Sequence, residues 1–240
     1  MTASRNGFSY SRYVREWIAT HGVIGTVWHL LCGIFEVTRD YLPWRRRIRY
    51  GDVDFDWDCR VDTTWANLRL GTRLREVFTG RKYQPVDPVS FHEMMQALPL
   101  NPEDLAFIDL GSGKGRALLL ASDYPFRKII GVELLPELHA IAAENVKRYR
   151  SKDQRCAEFQ LHRCDAREFQ LPPEPLLIFL FDPFPEPILR QVVSQIDRSA
   201  DEEPRNIVIA YMNPVSHVLD ESRVFRKLSA TRQWALYGNG

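Results

Sequence analysis

An apolar run followed by three closely spaced glycines restricts the fold of this chain more than any other feature of its sequence. Residues 105–110 read LAFIDL, residues 111–115 read GSGKG, and residues 116–122 continue with a helix-forming pattern. Glycines are needed where a backbone turns sharply, or where a ligand approaches more closely than a Cβ atom allows. The sequence therefore predicts a buried strand, a ligand-binding loop and a helix, in that order.

Apolar runs and helical stripes alternate along the rest of the chain. The predicted strands are 105–110, 128–134, 158–162, 176–181 and 206–212, and the predicted helices are 91–98, 116–122, 136–149 and 188–196. This alternation is typical of a doubly wound α/β fold, a mainly parallel sheet with helices on both faces. Two further runs, 224–228 and 233–237, predict a terminal hairpin.

The loop sequence discriminates between classes of nucleotide ligand. A Walker P-loop requires Ser or Thr after its lysine, whereas Lys114 is followed by Gly115. A dinucleotide fingerprint needs one more residue before its third glycine. Asp109, at the end of the first predicted strand, would repel a pyrophosphate but attract the cationic amino group and sulfonium of S-adenosylmethionine. An NAD-dependent oxidoreductase on a similar sheet remains the alternative.

Two more acidic residues follow predicted strands. Glu133 ends the second strand, where a carboxylate can accept hydrogen bonds from both hydroxyls of a ribose. Asp165 follows the third strand and can accept one from the exocyclic amine of adenine. Because the carboxyl ends of parallel strands meet at one edge of a sheet, these residues and Asp109 predict a single crevice. Loop carboxylates that cap helices are the alternative interpretation.

Residues 84–240 resemble the class I, Rossmann-like S-adenosylmethionine-dependent methyltransferases. FIDLGSGKG is similar to the first motif of that family, GVELLPE to its acidic second-strand motif, CDARE to its third and LFDPFPE to its fourth. The resemblance implies a methyltransferase with a seven-stranded sheet, an antiparallel last strand and S-adenosylmethionine as its cofactor. The implied cofactor contacts are Tyr83, Asp109, Gly111, Gly113, Gly115, Glu133, Leu134, Asp165 and Ala166. A catalytically idle binding module of the same fold is the alternative.

The fourth motif indicates how a methyl acceptor is bound. DPFP (182–185) resembles the [DN]-P-P-[YFW] motif of amine methyltransferases, but its aromatic residue comes directly after the first proline. A carboxylate that accepts the N–H of a neutral amine orients the lone pair, and an aromatic face stabilises the developing positive charge. Asp182 and Phe184 are therefore the candidate catalytic residues, with a rigid turn as the alternative role.

The kind of acceptor is indicated more weakly than its chemistry. The glycine loop and the following helix, with a Y-x-P sequence at 83–85, also resemble a branch that includes protein lysine methyltransferases. The expected acceptor is a nitrogen atom of a protein lysine or of a small molecule. Because 32 basic residues are matched by 31 acidic ones, the sequence carries no strong signal for nucleic-acid binding.

Residues 1–83 predict a helical extension and a flap. Residues 17–35 contain no Lys, Arg, Asp or Glu, which predicts a helix that packs on the domain or on a partner. Peripheral membrane contact through residues 17–47, or a membrane span, are the alternatives. A second, amphipathic helix is expected near residues 70–78.

The segment between residues 50 and 65 carries an alternating acidic pattern. Period-two alternation predicts a short strand or a mobile extended flap whose acidic row faces a cationic acceptor. A solvated acidic strand without function is the alternative. The acidic row consists of Asp52, Asp54, Asp56 and Asp58.

The cysteines bear on the compartment and on metal binding. The 4 cysteines do not have the spacing of a metal site, so no metal is expected. Reduced thiols and the lack of a secretory signal pattern predict a cytoplasmic protein.

Overall fold

The computed structural model describes residues 18–19, 22–28, 31–32, 35, 53–64 and 83–240. The chain divides into two compact units. The first is made of Met1–Asp52 and Ala66–Tyr83, and the second of Val53–Trp65 and Gln84–Gly240. Residues 53–65, which the sequence assigned to the extension, therefore belong to the same unit as the α/β domain.

The first unit is helical wherever the structure describes residues 18–35. Among these described residues, the exposed large apolar side chains are Val23, Ile24, Val27, Trp28, Leu31 and Phe35. Among the described residues, no helix is both long enough and apolar enough to cross a bilayer. Packing of this helix on a partner or on a membrane surface stays a prediction. The amphipathic helix expected near residues 70–78 lies outside the described residues.

The second unit is built on a seven-stranded sheet. Its strands are β1 (Ala106–Leu110), β2 (Lys128–Val132), β3 (Phe159–His162), β4 (Leu176–Phe181), β5 (Ile207–Met212), β6 (Arg226–Ala230) and β7 (Trp234–Gly238). Their order is β3-β2-β1-β4-β5-β7-β6. Strands β1 to β5 are parallel, whereas β7 runs antiparallel to both β5 and β6. The predicted doubly wound fold, with its antiparallel last strand and terminal hairpin, is confirmed.

Five α-helices are described in this unit. They are α1 (Val53–Cys59), α2 (Pro88–Gln96), α3 (Arg116–Ala121), α4 (Pro136–Arg148) and α5 (Glu186–Glu202). Proline occupies the first turn of α2, α4 and α5, where its missing N–H would have no helical partner. Asp87 caps α2 by accepting from the backbone N of Ser90 at 2.9 Å. Short 3₁₀ turns at Pro102–Asp104 and Val218–Glu221 complete the described elements.

The core lies on the central strands. Every residue of β1, β5 and β7 is buried, as expected for strands covered on both faces. Phe91 of α2 packs on Phe107 and Phe179, with ring centroids 6.1 and 5.5 Å apart. Because β1 pairs directly with β4, Asp109 lying opposite Phe179, the loops after these two strands emerge side by side.

Within residues 50–65 the structure describes 53–64, and there the predicted strand or extended flap is wrong, since residues 53–59 form α1. The segment then turns at Arg60, whose φ is 57°. Asp52 lies outside the described residues. The other three acids of the row do not share one environment, because Asp54 and Asp58 are exposed whereas Asp56 is half-buried. The Asp56 carboxylate accepts from the backbone N of Thr63 and of Thr64 at 2.7 and 2.8 Å. These bonds fold the turn back on the helix.

Candidate active site

The glycine loop, residues 111–115, joins β1 to α3 at the carboxyl edge of the sheet. The backbone N atoms of Gly111 and Ser112 donate to Val132 O at 2.8 and 3.0 Å, which fixes the loop against the end of β2. Gly111 has a φ of 93°, in the region that favours glycine. A Cβ atom at Gly111 would lie 2.6 Å from Cβ of Pro183. The loop and the turn after β4 are therefore in close contact.

Two carboxylates lie at this loop, as the sequence predicted. Glu133 Oε2 accepts from Gly113 N at 2.9 Å, and Oε1 accepts from Leu135 N at 2.7 Å. The two backbone bonds orient the carboxylate that the sequence assigned to a ribose. Asp109, at 4% exposure, is as deeply buried as the strand that carries it.

The electrostatics of the pair favour a cationic ligand. Burial raises the pKa of Asp109 well above its usual range, and the neighbouring Glu133 carboxylate raises it further. An ionised carboxylate in such a place is costly unless a cation compensates for it. The glycine loop and these two acids fit S-adenosylmethionine, which combines a ribose with two cationic groups. The same acids would oppose the pyrophosphate of a dinucleotide.

Asp165 follows β3 where the sequence placed it, but its carboxylate is already engaged. The backbone N and Nε of Arg167 donate to Asp165 Oδ1 at 2.9 and 3.0 Å. A terminal guanidinium nitrogen of Arg167 donates to Oδ2 at 2.7 Å. This local pair fixes the orientation of the carboxylate, and a contact between Asp165 and adenine stays a prediction.

The remaining predicted cofactor contacts differ in burial. Gly115 precedes α3 with a φ of 86°. Ala166 is 7% exposed, and Leu134 is half-buried directly after Glu133. Tyr83 is half-buried and belongs to the first unit. The contacts of these residues with a cofactor stay predictions.

The turn after β4 carries the two candidate catalytic residues. Asp182 has a φ of 41°, which is uncommon for a residue other than glycine and costs on the order of 1 kcal/mol. Asp182 and Phe184 are both half-buried. The turn ends where α5 begins, as Ile188 N and Leu189 N donate to Pro185 O at 2.9 and 3.0 Å. The turn is thus held between the start of α5 and the glycine loop.

The sequence analysis missed a second charged group, which packs on the glycine loop. Lys114 Nζ lies 2.7 Å from Asp62 Oδ1, and a terminal nitrogen of Arg116 lies 3.1 Å from Asp56 Oδ1. The signal that could have found it is the position of the two cations. Lys114 and Arg116 interrupt a stretch that is otherwise small or apolar, and a buried cation needs a carboxylate.

A comparison with one solved structure agrees with the fold, and two others are similar at lower scores. The chain is similar to a predicted N6-adenine-specific DNA methylase from Listeria monocytogenes, with a TM-score of 0.50 and 14% identity over 65% of this chain. The chain spans 51% of that protein. It is also similar to an RNA methyltransferase from Salinibacter ruber in complex with S-adenosyl-L-homocysteine, with a TM-score of 0.44 and 19% identity. This similarity covers 65% of this chain and 92% of the Salinibacter protein. A SAM-dependent methyltransferase from Aquifex aeolicus is similar with a TM-score of 0.46 and 16% identity. That similarity covers 64% of this chain and 98% of the Aquifex protein.

A sequence comparison decides the class of protein. The family model of the histone methylation protein DOT1 matches residues 69–169. Residues 69–169 match a family of S-adenosylmethionine-dependent methyltransferases, and the fold is that of the class I members. The predicted family and cofactor are confirmed. A search of curated proteins gave no significant match.

The matched residues cover only part of the methyltransferase. They include the glycine loop, Glu133 and Asp165, but they end before Asp182 and Phe184. The match therefore bears on the cofactor half of the candidate site. The residues of the acceptor half lie in the turn after β4, beyond the matched range.

Proposed function

We propose that this methyltransferase transfers a methyl group to nitrogen, and that its acceptor is the side-chain amine of a protein lysine. When bound, S-adenosylmethionine supplies an electrophilic methyl group on its sulfonium. The observation that carries the proposal is the contact between the two halves of the site. Pro183 approaches Gly111 so closely that a Cβ there would lie 2.6 Å away, which brings the candidate acceptor residues next to the glycine loop.

The cofactor half is assigned to the glycine loop and to the acids at the ends of β1 and β2. The Asp109 carboxylate binds the cationic amino group, and Glu133 accepts from the ribose hydroxyls. Gly111 provides room for close approach. This assignment is supported by the burial of both acids and by the two backbone bonds that hold Glu133 in place.

The acceptor half is assigned to Asp182 and Phe184. A lysine amine reacts only when it is neutral and its lone pair is aligned with the methyl group. The Asp182 carboxylate accepts an N–H of the amine and so orients that lone pair, while the Phe184 ring stabilises the positive charge that develops on nitrogen. Their half-buried positions in a turn fixed by packing support this role.

A protein acceptor is favoured by the family match. The matching family is described as a histone methylation protein, and the notable charge balance of the chain, with a net charge of +1, does not favour a polyanionic nucleic acid. A small-molecule amine is the other acceptor that the same turn could bind.

The test is to incubate the full chain with tritiated S-adenosylmethionine and a lysate of the source cells, and then to separate proteins, nucleic acids and small molecules. The expected result is label in protein that acid hydrolysis recovers as methyl-lysine. Label recovered in nucleic acid or in small molecules would overturn the lysine assignment. Absence of label from every fraction, with intact cofactor binding, would indicate an idle binding module.

The roles of Asp182 and Phe184 can be tested separately. Asp182→Ala and Phe184→Ala are expected to lower kcat by about tenfold or more, because one oriented hydrogen bond or one charge-stabilising contact contributes on the order of 1.4 kcal/mol. The Kd for S-adenosylmethionine, measured by calorimetry, should change by less than about threefold. Unchanged kcat in both variants would mean that this turn is structural only.

A further inference from the structure

Two buried cations, one on the glycine loop and one at the start of α3, take no part in the assigned acceptor or cofactor contacts. The Lys114 side chain is 0% exposed, and Arg116 is 2% exposed. Burial lowers the pKa of Arg116 to about 10, which still leaves it charged at neutral pH. Both cations therefore need counter-charges from the protein.

Residues 53–64 supply both counter-charges. Lys114 Nζ donates to Asp62 Oδ1 at 2.7 Å and to Thr64 O at 2.6 Å. A terminal nitrogen of Arg116 donates to Asp56 Oδ1 at 3.1 Å, and its guanidinium lies 4.8 Å from the centre of the Phe55 ring. The segment thus contacts the loop through charge, hydrogen bonds and an aromatic face.

Thr63 connects one counter-charge, Asp56, to its cation, Arg116. It is 0% exposed. Its hydroxyl donates to Asp56 Oδ1 and accepts from Arg116 Nε at 2.6 Å. The arginine, the aspartate and the threonine therefore form one hydrogen-bonded group, and a change in any of them affects the position of the others.

Asn145 of α4 joins the segment to the backbone of the loop. Its Nδ2 donates to Asp62 O at 2.8 Å and to Lys114 O at 2.9 Å. Its Oδ1 accepts from Asp62 N at 2.8 Å. The carbonyl of Lys114 belongs to the peptide between Lys114 and Gly115, so the segment and α4 together fix the glycine loop. The same loop carries Gly113, whose backbone N donates to Glu133.

We propose that residues 53–64 are a positioning element of the cofactor site, which holds the glycine loop through Asp62 and Asp56 in the conformation that binds S-adenosylmethionine. The proposal rests on the assignment of that loop to the cofactor. Asp62 and Asp56 touch no reacting atom and act through Lys114 and Arg116. The acidic residues of this segment thereby serve the cofactor half of the site. The sequence pattern predicts instead that they face the acceptor.

The test is to measure the Kd of the full-length Asp62→Asn variant for two ligands. S-adenosylmethionine carries a sulfonium charge, and S-adenosylhomocysteine is the matching thioether without it. A positioning role predicts that both ligands bind about tenfold more weakly, by the same factor. Kcat at saturating cofactor should change by less than about twofold, so the effect appears in KM.

The control is Asp58→Asn, which removes the same charge from an exposed position of α1. Its affinity for both ligands should equal that of the wild type. Asp62→Glu keeps the charge and should recover part of the lost affinity. Weakened binding of S-adenosylmethionine alone would indicate a long-range charge effect and would overturn the proposal.

A second variant separates positioning from folding. Thr63→Val removes only the hydroxyl that links Asp56 to Arg116, at nearly constant side-chain volume, so it is usable even if Asp62→Asn does not fold. Weaker binding of both ligands by about threefold or more is expected. A lower melting temperature with unchanged Kd values would show a purely structural segment. If the wild type itself binds neither ligand, the cofactor assignment fails instead.

Discussion

At the scale of single residues, Asp109 has two roles that oppose each other. Its carboxylate is assigned to a cationic group of the ligand, and this role needs the ionised form. Burial and the nearby Glu133 carboxylate disfavour that form, which raises the pKa of Asp109 well above its usual range. Stability and ligand affinity therefore depend on the same ionisation, with opposite signs.

The stability effect can be measured on the protein without ligand. Between the ordinary pKa of an aspartate and the raised pKa of Asp109, the folded state binds a proton that the unfolded state has lost. Stability must therefore fall as the pH rises through this window. Asp109→Asn removes this dependence, so the variant should become more stable relative to wild type as the pH rises above the ordinary pKa of an aspartate. Parallel curves of melting temperature against pH would contradict the prediction.

The affinity effect has the opposite direction. Asp109→Asn and Glu133→Gln should each weaken S-adenosylmethionine binding by about tenfold or more, since a hydrogen bond to a charged group contributes about 1.5–3 kcal/mol. Affinity of the wild type should fall as the pH falls through the raised pKa of Asp109, whereas the Asn variant should lack this dependence. Calorimetry at several pH values is the measurement. Unchanged affinity in both variants would remove these acids from the cofactor site.

At the scale of elements, the contact between α3 and β2 fixes the distance between helix and sheet beneath the glycine loop. A Cβ at Gly131 would lie 2.6 Å from Cδ1 of Leu118 and 2.9 Å from Cδ2 of Leu161. Leu118 is fully buried. Since α3 follows the loop directly, any shift of this helix would move the loop with it.

A double-mutant cycle tests this packing. Gly131→Ala should destabilise the protein by about 1–3 kcal/mol through overpacking, and Leu118→Ala by about 2–5 kcal/mol through cavity formation. In the double variant the new methyl group partly fills the space left by the leucine. The summed effects should therefore exceed the measured one by about 1 kcal/mol or more in denaturant unfolding. Strict additivity would show that the two residues do not share a contact.

The central elements could be predicted because their signals are local. Strand β4 is a continuous apolar run, β1 is an apolar run interrupted only by Asp109, and α4 begins at a proline, so sequence and structure agree closely on them. Helix α1 could not be predicted in this way. Its alternating aspartates indicate a strand locally, whereas the helix is held by the bond between Asp56 and Arg116, which are 60 positions apart.

The same distinction applies to the candidate site. Gly111 and Glu133 could be identified because their residue types and their positions after strands are visible in the sequence. The engagement of Asp165 by Arg167 and of Lys114 by Asp62 depends on side-chain directions. A sequence pattern does not contain those directions, even for residues that are only two positions apart.

At the scale of the whole molecule, the second unit is assembled from two separate stretches of chain. Asp62 precedes its partner Lys114 by 52 positions in the sequence. Residues 53–64 nevertheless belong to the same compact unit as Lys114. The domain boundary is therefore not a single point in the sequence, and a truncation chosen from the α/β pattern alone would remove part of the unit.

Two truncated chains test this organisation. A chain that begins at Val53 keeps Asp56 and Asp62, whereas one that begins at Trp65 leaves Lys114 and Arg116 buried without them. Loss of the Asp56 pair should cost about 3–5 kcal/mol. Loss of the Asp62 pair should add less, because that side chain is 36% exposed. Denaturant unfolding of the two chains measures the difference, and equal stability would contradict it.

The placement of β7 between β5 and β6 has a consequence for synthesis on the ribosome. Strand β5 pairs with β4 on one side, and on its other side with β7, which is translated after β6. Until residues 234–238 have left the exit tunnel, six buried residues of β5 present an unpaired apolar edge. Such an edge is a template for pairing with other chains. A ribosome that stalls between Asn213 and Gln233 therefore releases a product prone to aggregation. The free edge of β5 is paired only after β7 has been translated.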